Sequence, residues 1–277
     1  MFRIVPLVEN TTSTTDYKCK HGLCIYVQTD NHKILFDVGP NSLFLDNAKK
    51  MDVDIADIDT VIISHGHSDH GGGLRDFIEM NTKAKIFIRK NAFEPHYIKV
   101  LGLPVYVGLD SSLVNSDRFV FTEDVSVIDE ELLLFSGVKE ETYFSKSNKK
   151  LFAKKQGTMI RDDFEHEQNL IITAQNKRIL ISGCSHCGIV NIQKKAEEII
   201  SDKIDAVVGG FHLFNPPTKK YESDEYIGLT ANAINKTGSS YYTCHCTGVK
   251  AYEKMKPILG CKLHYLGTGA EFRDEDI

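Results

Sequence analysis

The chain has 277 residues, 42% hydrophobic and 26% charged, with a formal net charge of −5. That balance supports a packed core and excludes a disordered or low-complexity chain. The acidic charge argues against a nucleic-acid partner, which asks for a basic face to meet phosphate.

The chain opens on Met1-Phe2-Arg3-Ile4-Val5-Pro6 and a polar run over residues 9–16, with no signal-peptide pattern. No window nears the ~20 apolar residues that span a bilayer, so no membrane partner is expected. Seven cysteines, an odd number without a secretory signal, do not read as a disulfide framework. A cytoplasmic protein with reduced thiols is the expectation. Residues 23–28 and 33–37 read as strands around the turn Thr29-Asp30-Asn31. Residues 59–64 form a buried-type strand that runs directly into His65. Leu74, Phe77 and Ile78 fall at i, i+3 and i+4 and start a helix; residues 85–89 give a further strand. Residues 125–163 look irregular and polar, with Lys146, Lys149, Lys150, Lys154 and Lys155. A solvated loop is expected there, or else a guard over a site for an anionic substrate.

The second half repeats the plan. Residues 170–173 and 178–182 make a hairpin, and Asn191 is the expected N-cap of a helix whose apolar face is Ile192, Ala196, Ile199 and Ile200. Strands recur at 204–208, 241–244 and 262–266. A strand-rich sheet followed by helix, done twice, predicts an α/β fold of two sheets between helical layers, in one domain over residues 1–277.

The strongest signal is Ser64-His65-Gly66-His67-Ser68-Asp69-His70-Gly71-Gly72-Gly73. Four candidate metal ligands follow a buried strand at once, and glycine-rich backbone lets ligands so closely spaced turn to one centre. Imidazole with carboxylate suits zinc, with manganese and iron as alternatives.

His-x-His-x-Asp-His resembles the signature of the metallo-β-lactamase superfamily, and Leu35-Phe36-Asp37-Val38-Gly39 resembles its early strand. The resemblance implies a four-layer αββα sandwich with two divalent metals, His65 and His67 serving one, Asp69 and His70 the other. It also implies Asp37 bracing the metal loop and Asp69 acting in catalysis. Intact His67 and the lack of a flavodoxin-like extension favour hydrolysis or group transfer over redox chemistry. The remaining ligands lie in the second half. Gly183-Cys184-Ser185-His186 offers His186 as ligand with Cys184 beside it, and His166 is the rival. His245 is preferred as the last ligand over His212, which is then expected to contact substrate; His21 is expected near the site mouth or on the surface.

These segments, with Leu7-Val8-Glu9-Asn10, His21-Gly22-Leu23, Gly209-Gly210-Phe211-His212-Leu213 and His245-Cys246-Thr247-Gly248, resemble the branch of the archaeal dihydropterin ribofuranosylaminobenzene phosphate synthase. That implies a small anionic substrate bearing phosphate, diphosphate or a pterin-like group, and leaves monomer or homo-oligomer open. The alternatives are a tRNA-processing phosphodiesterase on the same fold, a non-catalytic metal- or ligand-binding protein, and a four-thiolate site of Cys184, Cys187, Cys244 and Cys246.

Overall fold

The computed structural model describes residues 2–12, 14–139 and 142–276. Its strands form two seven-stranded sheets. The first runs, in spatial order, Phe272–Arg273, Arg3–Val8, Cys24–Gln28, Lys33–Phe36, Thr60–Ile62, Lys85–Ile88 and Phe119–Phe121. The second runs Leu263–Tyr265, Ser240–Thr243, Ala206–Gly209, Lys177–Ser182, Gln168–Ala174, Leu132–Ser136 and Val125–Val127.

Each sheet changes sense midway. Lys33–Phe36 pairs antiparallel with Cys24–Gln28 and parallel with Thr60–Ile62. Lys177–Ser182 likewise pairs antiparallel with Gln168–Ala174 and parallel with Ala206–Gly209. A parallel pair needs a crossover, supplied by helices Leu43–Lys50, Leu74–Met80, Ile189–Ile200, Asp224–Asn235 and Val249–Leu259.

Strand side chains alternate between two cores. Ile34 and Phe36 of one sheet, with Ile179 and Ile181 of the other, fill the core between the sheets. Leu35 faces Phe44, Ala48 and Phe77 of the first helical layer. Leu180 faces Ile192, Ile227 and Met255 of the second. Three cores make four layers, αββα, as expected. Burial of each such side chain stabilises by roughly 1.5–3 kcal/mol.

Two expectations need correction, and one strand was not foreseen. Residues 125–163 are not an irregular loop: Leu132–Ser136 is a buried strand of the second sheet, and Leu151–Lys155 and Thr158–Arg161 join His96–Val100 and Leu103–Tyr106 in a separate four-stranded sheet. Residues 140 and 141 of that stretch lie outside the described residues. The lysines there hid strands whose alternate positions, Leu151 and Ala153, are buried. Asn191 is not an N-cap either. The helix starts at Ile189 behind Gly188, and the Asn191 amide donates to the carbonyls of Cys187 (2.8 Å) and Thr142. The opening strand Arg3–Val8 was not visible as such, because all but its first residue are buried and no alternation marks it. Among the described residues no helix is long and apolar enough to cross a membrane.

Candidate metal centre

The parallel strands end at one rim, where open α/β sheets place their ligands. Beyond Thr60–Ile62 the chain delivers Ser64, His65 and His67, then a one-turn helix Ser68–Gly71 that carries Asp69 and His70. Asp37, just past Lys33–Phe36, is fully buried at φ 60°. Its carboxylate accepts from Ser64 N (2.7 Å), Ser64 Oγ (2.8 Å) and His70 Nδ1 (2.6 Å). One buried anion thus ties both ends of the histidine loop to the neighbouring strand.

The hydrogen bonds fix which ring nitrogens carry protons. Ser64 gives its one proton to Asp37, so its Oγ accepts the His65 Nδ1–H at 2.8 Å. His70 gives its Nδ1–H to Asp37. Asn148 donates its amide to the His186 carbonyl (2.8 Å), which leaves Oδ1 to accept the His186 Nδ1–H at 3.0 Å. Asn10 does the same for His245, donating to its carbonyl (3.1 Å) and accepting its Nδ1–H (3.0 Å). All four rings therefore turn an Nε2 lone pair inward.

The buried Nε2 atoms of His65 and His186 have no hydrogen-bond partner. His70 Nε2 and His245 Nε2 stand 3.1 Å apart, and Cys184 Sγ lies 3.2 Å from His70 Nε2. Two lone pairs at that distance repel unless a cation or a proton lies between them. Without metal a proton serves. Burial alone would lower the His70 pKa, but Asp37 and Asp69 outweigh it and raise it to about 9. His65 and His186 are held well below the usual histidine value by burial and by neighbouring imidazoles, so both remain neutral donors. Burial also pushes the Cys184 thiol up, so only a nearby cation would draw a thiolate from it.

Two groupings emerge. The rings of His65, His67 and His186 stand 4.6 to 5.0 Å apart in mutually edge-on pairs. Asp69 Oδ2 lies 3.5 Å from His245 Nε2 and 3.8 Å from His70 Nε2. Cys184 shares donor-atom range with His65 and His186 on one side and with His70 and His245 on the other. His21 stacks on His245, with its Nε2 3.1 Å from Asp69 Oδ2 at the pocket mouth. His212 sits on the far side of His186, ring centroids 4.2 Å apart, and falls in a separate group with Cys184 and Cys246. The four cysteines do not form one site: Cys187 packs in the helix-side core and Cys244 between the sheets.

His166, the rival to His186, is turned away. Its Nδ1 accepts from Gly66 N at 2.9 Å, and its Nε2 faces both Asp162 oxygens at 3.2 Å. His96 Nδ1 meets the same carboxylate at 3.1 Å. Burial would raise the Asp162 pKa, yet His166 and His96 hold it far below the usual carboxylate range. Sequence reasoning missed Asp162, His96, Asn148 and Asn10. Asn10 closes the tetrad Leu7-Val8-Glu9-Asn10, but that tetrad assigns it no role at the site, and the other three lie in no motif; only long-range pairing brings them in.

A cavity of about 300 Å³ opens over these groups. His67, Asp69, Cys184, His186, His212 and His245 form its floor, and Ile98, Val107, Leu151, Pro216 and Pro217 its apolar wall. Among the described residues no lysine or arginine lines it.

An αββα sandwich with imidazole, carboxylate and thiol donors converging at one sheet rim defines a class of proteins built to hold divalent metal. The sequence model of the metallo-beta-lactamase superfamily matches residues 17–145, and the chain belongs to that superfamily, whose members are mostly metal-dependent hydrolases. A solved structure described as a metal-dependent hydrolase of the beta-lactamase superfamily is 30% identical, with TM-score 0.84 and 99% of both chains covered. The 7,8-dihydropterin-6-methyl-4-(beta-D-ribofuranosyl)-aminobenzene-5'-phosphate synthase of Methanocaldococcus jannaschii is 30% identical over 249 residues, 84% of this chain and 82% of that protein. An uncharacterized protein of the same organism is 27% identical over 260 residues, 92% of this chain and 94% of its own length.

Proposed function

We propose that the chain is a metal-dependent hydrolase or transferase that binds two divalent ions, zinc first, with manganese or iron as alternatives. His65, His67 and His186 would hold one ion and Asp69, His70 and His245 the other, with Cys184 between them. The observation that carries this reading is the set of inward Nε2 lone pairs fixed by Ser64, Asp37, Asn148 and Asn10. Ions bound there supply Lewis-acid polarisation and activation of water near neutral pH.

The protein's own groups do the rest. Asp69 stays ionised: burial would raise its pKa, but His70, His21 and His245 draw it well below the usual range. A proton taken up at Asp69 Oδ2 can pass to His21 Nε2, whose side chain is 42% exposed, and so reach solvent or a departing group. His212, with both ring nitrogens unpaired, is free to bond substrate. The substrate is a small molecule whose anionic group meets the floor and whose apolar part lies against Ile98, Leu151 and Pro216. With no lysine or arginine at the wall among the described residues, bound ions would balance the anion. Likeness to the synthase supports a phosphate-bearing or pterin-like substrate. The acidic chain favours no nucleic-acid partner, and the thiols fit a cytoplasmic protein.

The test is a screen of phosphate esters, diphosphates and lactones with chelator-stripped protein, reconstituted in turn with zinc, manganese and ferrous iron. Activity is expected only after reconstitution, and Asp69→Ala should lower it roughly 100-fold or more. Full activity in Asp69→Ala against any substrate found would refute the mechanism.

A further inference from the structure

Residues paired across an antiparallel ladder point to the same side of a sheet, as do residues two apart on one strand. In the four-stranded sheet, Leu151, Ile98 and Val105 pair in one row, and Val100 pairs with Leu103 in the next. These five side chains and Val107 therefore share one face, and all are apolar. The opposite face carries Tyr97, Lys99, Tyr106, Phe152 and Lys154. There the Tyr97 and Tyr106 rings meet edge-on, centroids 5.5 Å apart, and Lys99 Nζ lies 4.1 Å over the Phe152 ring. The lysines of this sheet thus leave its other face to apolar side chains.

The apolar face runs out of the cavity. Leu151, Ile98 and Val107 line the cavity over the metal donors. Val105, beside Ile98, is 46% exposed, and Leu103 beyond it is 71% exposed. Single exposed apolar side chains are ordinary on a surface, but a row that continues the wall of a cavity points to a ligand. Another strand is a poor occupant. Val107 N donates to His96 O at 2.9 Å, so by the alternation of the ladder Pro104 turns its nitrogen to the free edge of the sheet. Proline has no N–H to give there, which blunts backbone pairing and leaves the side chains as the binding surface. The cavity, about 300 Å³, is at the small end of ligand pockets, and a larger occupant continues past its rim. We propose that the substrate is an amphiphile, its polar reacting head over the metal donors and its alkyl or acyl chain leaving the cavity along Ile98, Val105, Val100 and Leu103. This deepens the function proposed above and rests on it. The two rows are about 7 Å apart, so the chain gains contact over that length beyond the cavity wall.

The probe is a series of straight-chain hydroxamates from acetohydroxamate to dodecanohydroxamate, whose head chelates zinc, titrated calorimetrically into zinc-loaded protein. Zinc content is read on the same samples, and light scattering gives their mass. Affinity is expected to rise roughly two- to fourfold for each CH₂ laid on the row. The double variant Leu103→Ser, Val105→Ser should lose most of the gain made by the long chains. Both side chains are exposed, so the exchange leaves the core packed. Affinity that does not rise with length in the wild type, or that rises equally in the double variant, overturns the proposal and leaves the metal centre standing. A wild-type dimer that the double variant converts to monomer overturns it too, because a second copy then covers the row. A wild-type chain that takes up no zinc overturns the metal centre and this proposal together. If the double variant does not fold, the wild-type series still decides.

Discussion

Replacing Asp37 by asparagine tests the proton arrangement with a change of one atom. Asp37 is fully buried and accepts three hydrogen bonds, from Ser64 N, Ser64 Oγ and His70 Nδ1. An amide offers one oxygen where the carboxylate offers two, so its NH₂ must face a former donor. Ser64 N–H cannot turn, so the clash falls on Ser64 Oγ and His70 Nδ1, which share Oδ2. His70 relieves it by moving its proton to Nε2, which points a donor at the metal centre and removes a lone pair from it. Charge-assisted hydrogen bonds are worth about 1.5–3 kcal/mol each. One such loss, taken at ~2 kcal/mol, lowers the melting temperature by roughly 4–8 °C in a chain of this size. Metal affinity should fall about 10- to 100-fold. Urea or thermal melts of the stripped protein give the first quantity and competition against a coloured chelator the second. Asp37→Asn that melts lower yet binds metal as tightly as wild type would refute the tautomer argument while sparing the fold.

Gly183→Ala places a Cβ 2.3 Å from Ser64 Oγ; overpacking of this kind costs about 1–3 kcal/mol, and displacing Ser64 frees the His65 ring, so stability and metal affinity should fall together. Unchanged chelator competition in that variant would show that Ser64 does not orient His65. His166→Gln should keep far more bound metal than His186→Ala, because His166 donates towards Asp162; equal losses by atomic absorption would contradict the assignment. In the metal-free chain burial depresses the pKa of His65, His67, His166, His186 and His245. Their stabilising contribution is present above the unfolded value of ~6.5 and lost as pH falls towards their folded values, up to about 1.4 kcal/mol per pH unit for each proton that only the unfolded chain binds. His70 runs the other way, its contribution present below ~6.5 and lost as pH rises through about 9. Urea melts of stripped protein at pH 7.5 and 5.5 should show a clear loss at the lower pH; equal or greater stability there would contradict the burial argument.

The histidine loop was legible in the sequence because strand, ligands and glycines are contiguous from residue 59 to 73. The two-sheet plan was legible because short apolar runs bounded by turn residues and followed by a helix recur in both halves, as at residues 33–37 and 178–182. The groups that orient the rings were not. Asn10 is 235 residues from His245, and Asn148 sits in a lysine run that reads as solvent-facing loop. His96 and Asp162, 66 residues apart, meet only because the four-stranded sheet pairs His96–Val100 with Leu151–Lys155. A single polar residue in a loop carries no local pattern, so its role becomes visible only with the tertiary pairing.

The most direct test of the account is the metal content of protein purified without added metal, measured on wild type, Asp69→Ala and His186→Ala. A two-ion site requires about two zinc, manganese or iron atoms per wild-type chain, with fewer in both variants. A wild-type chain that holds no metal even after reconstitution would contradict it.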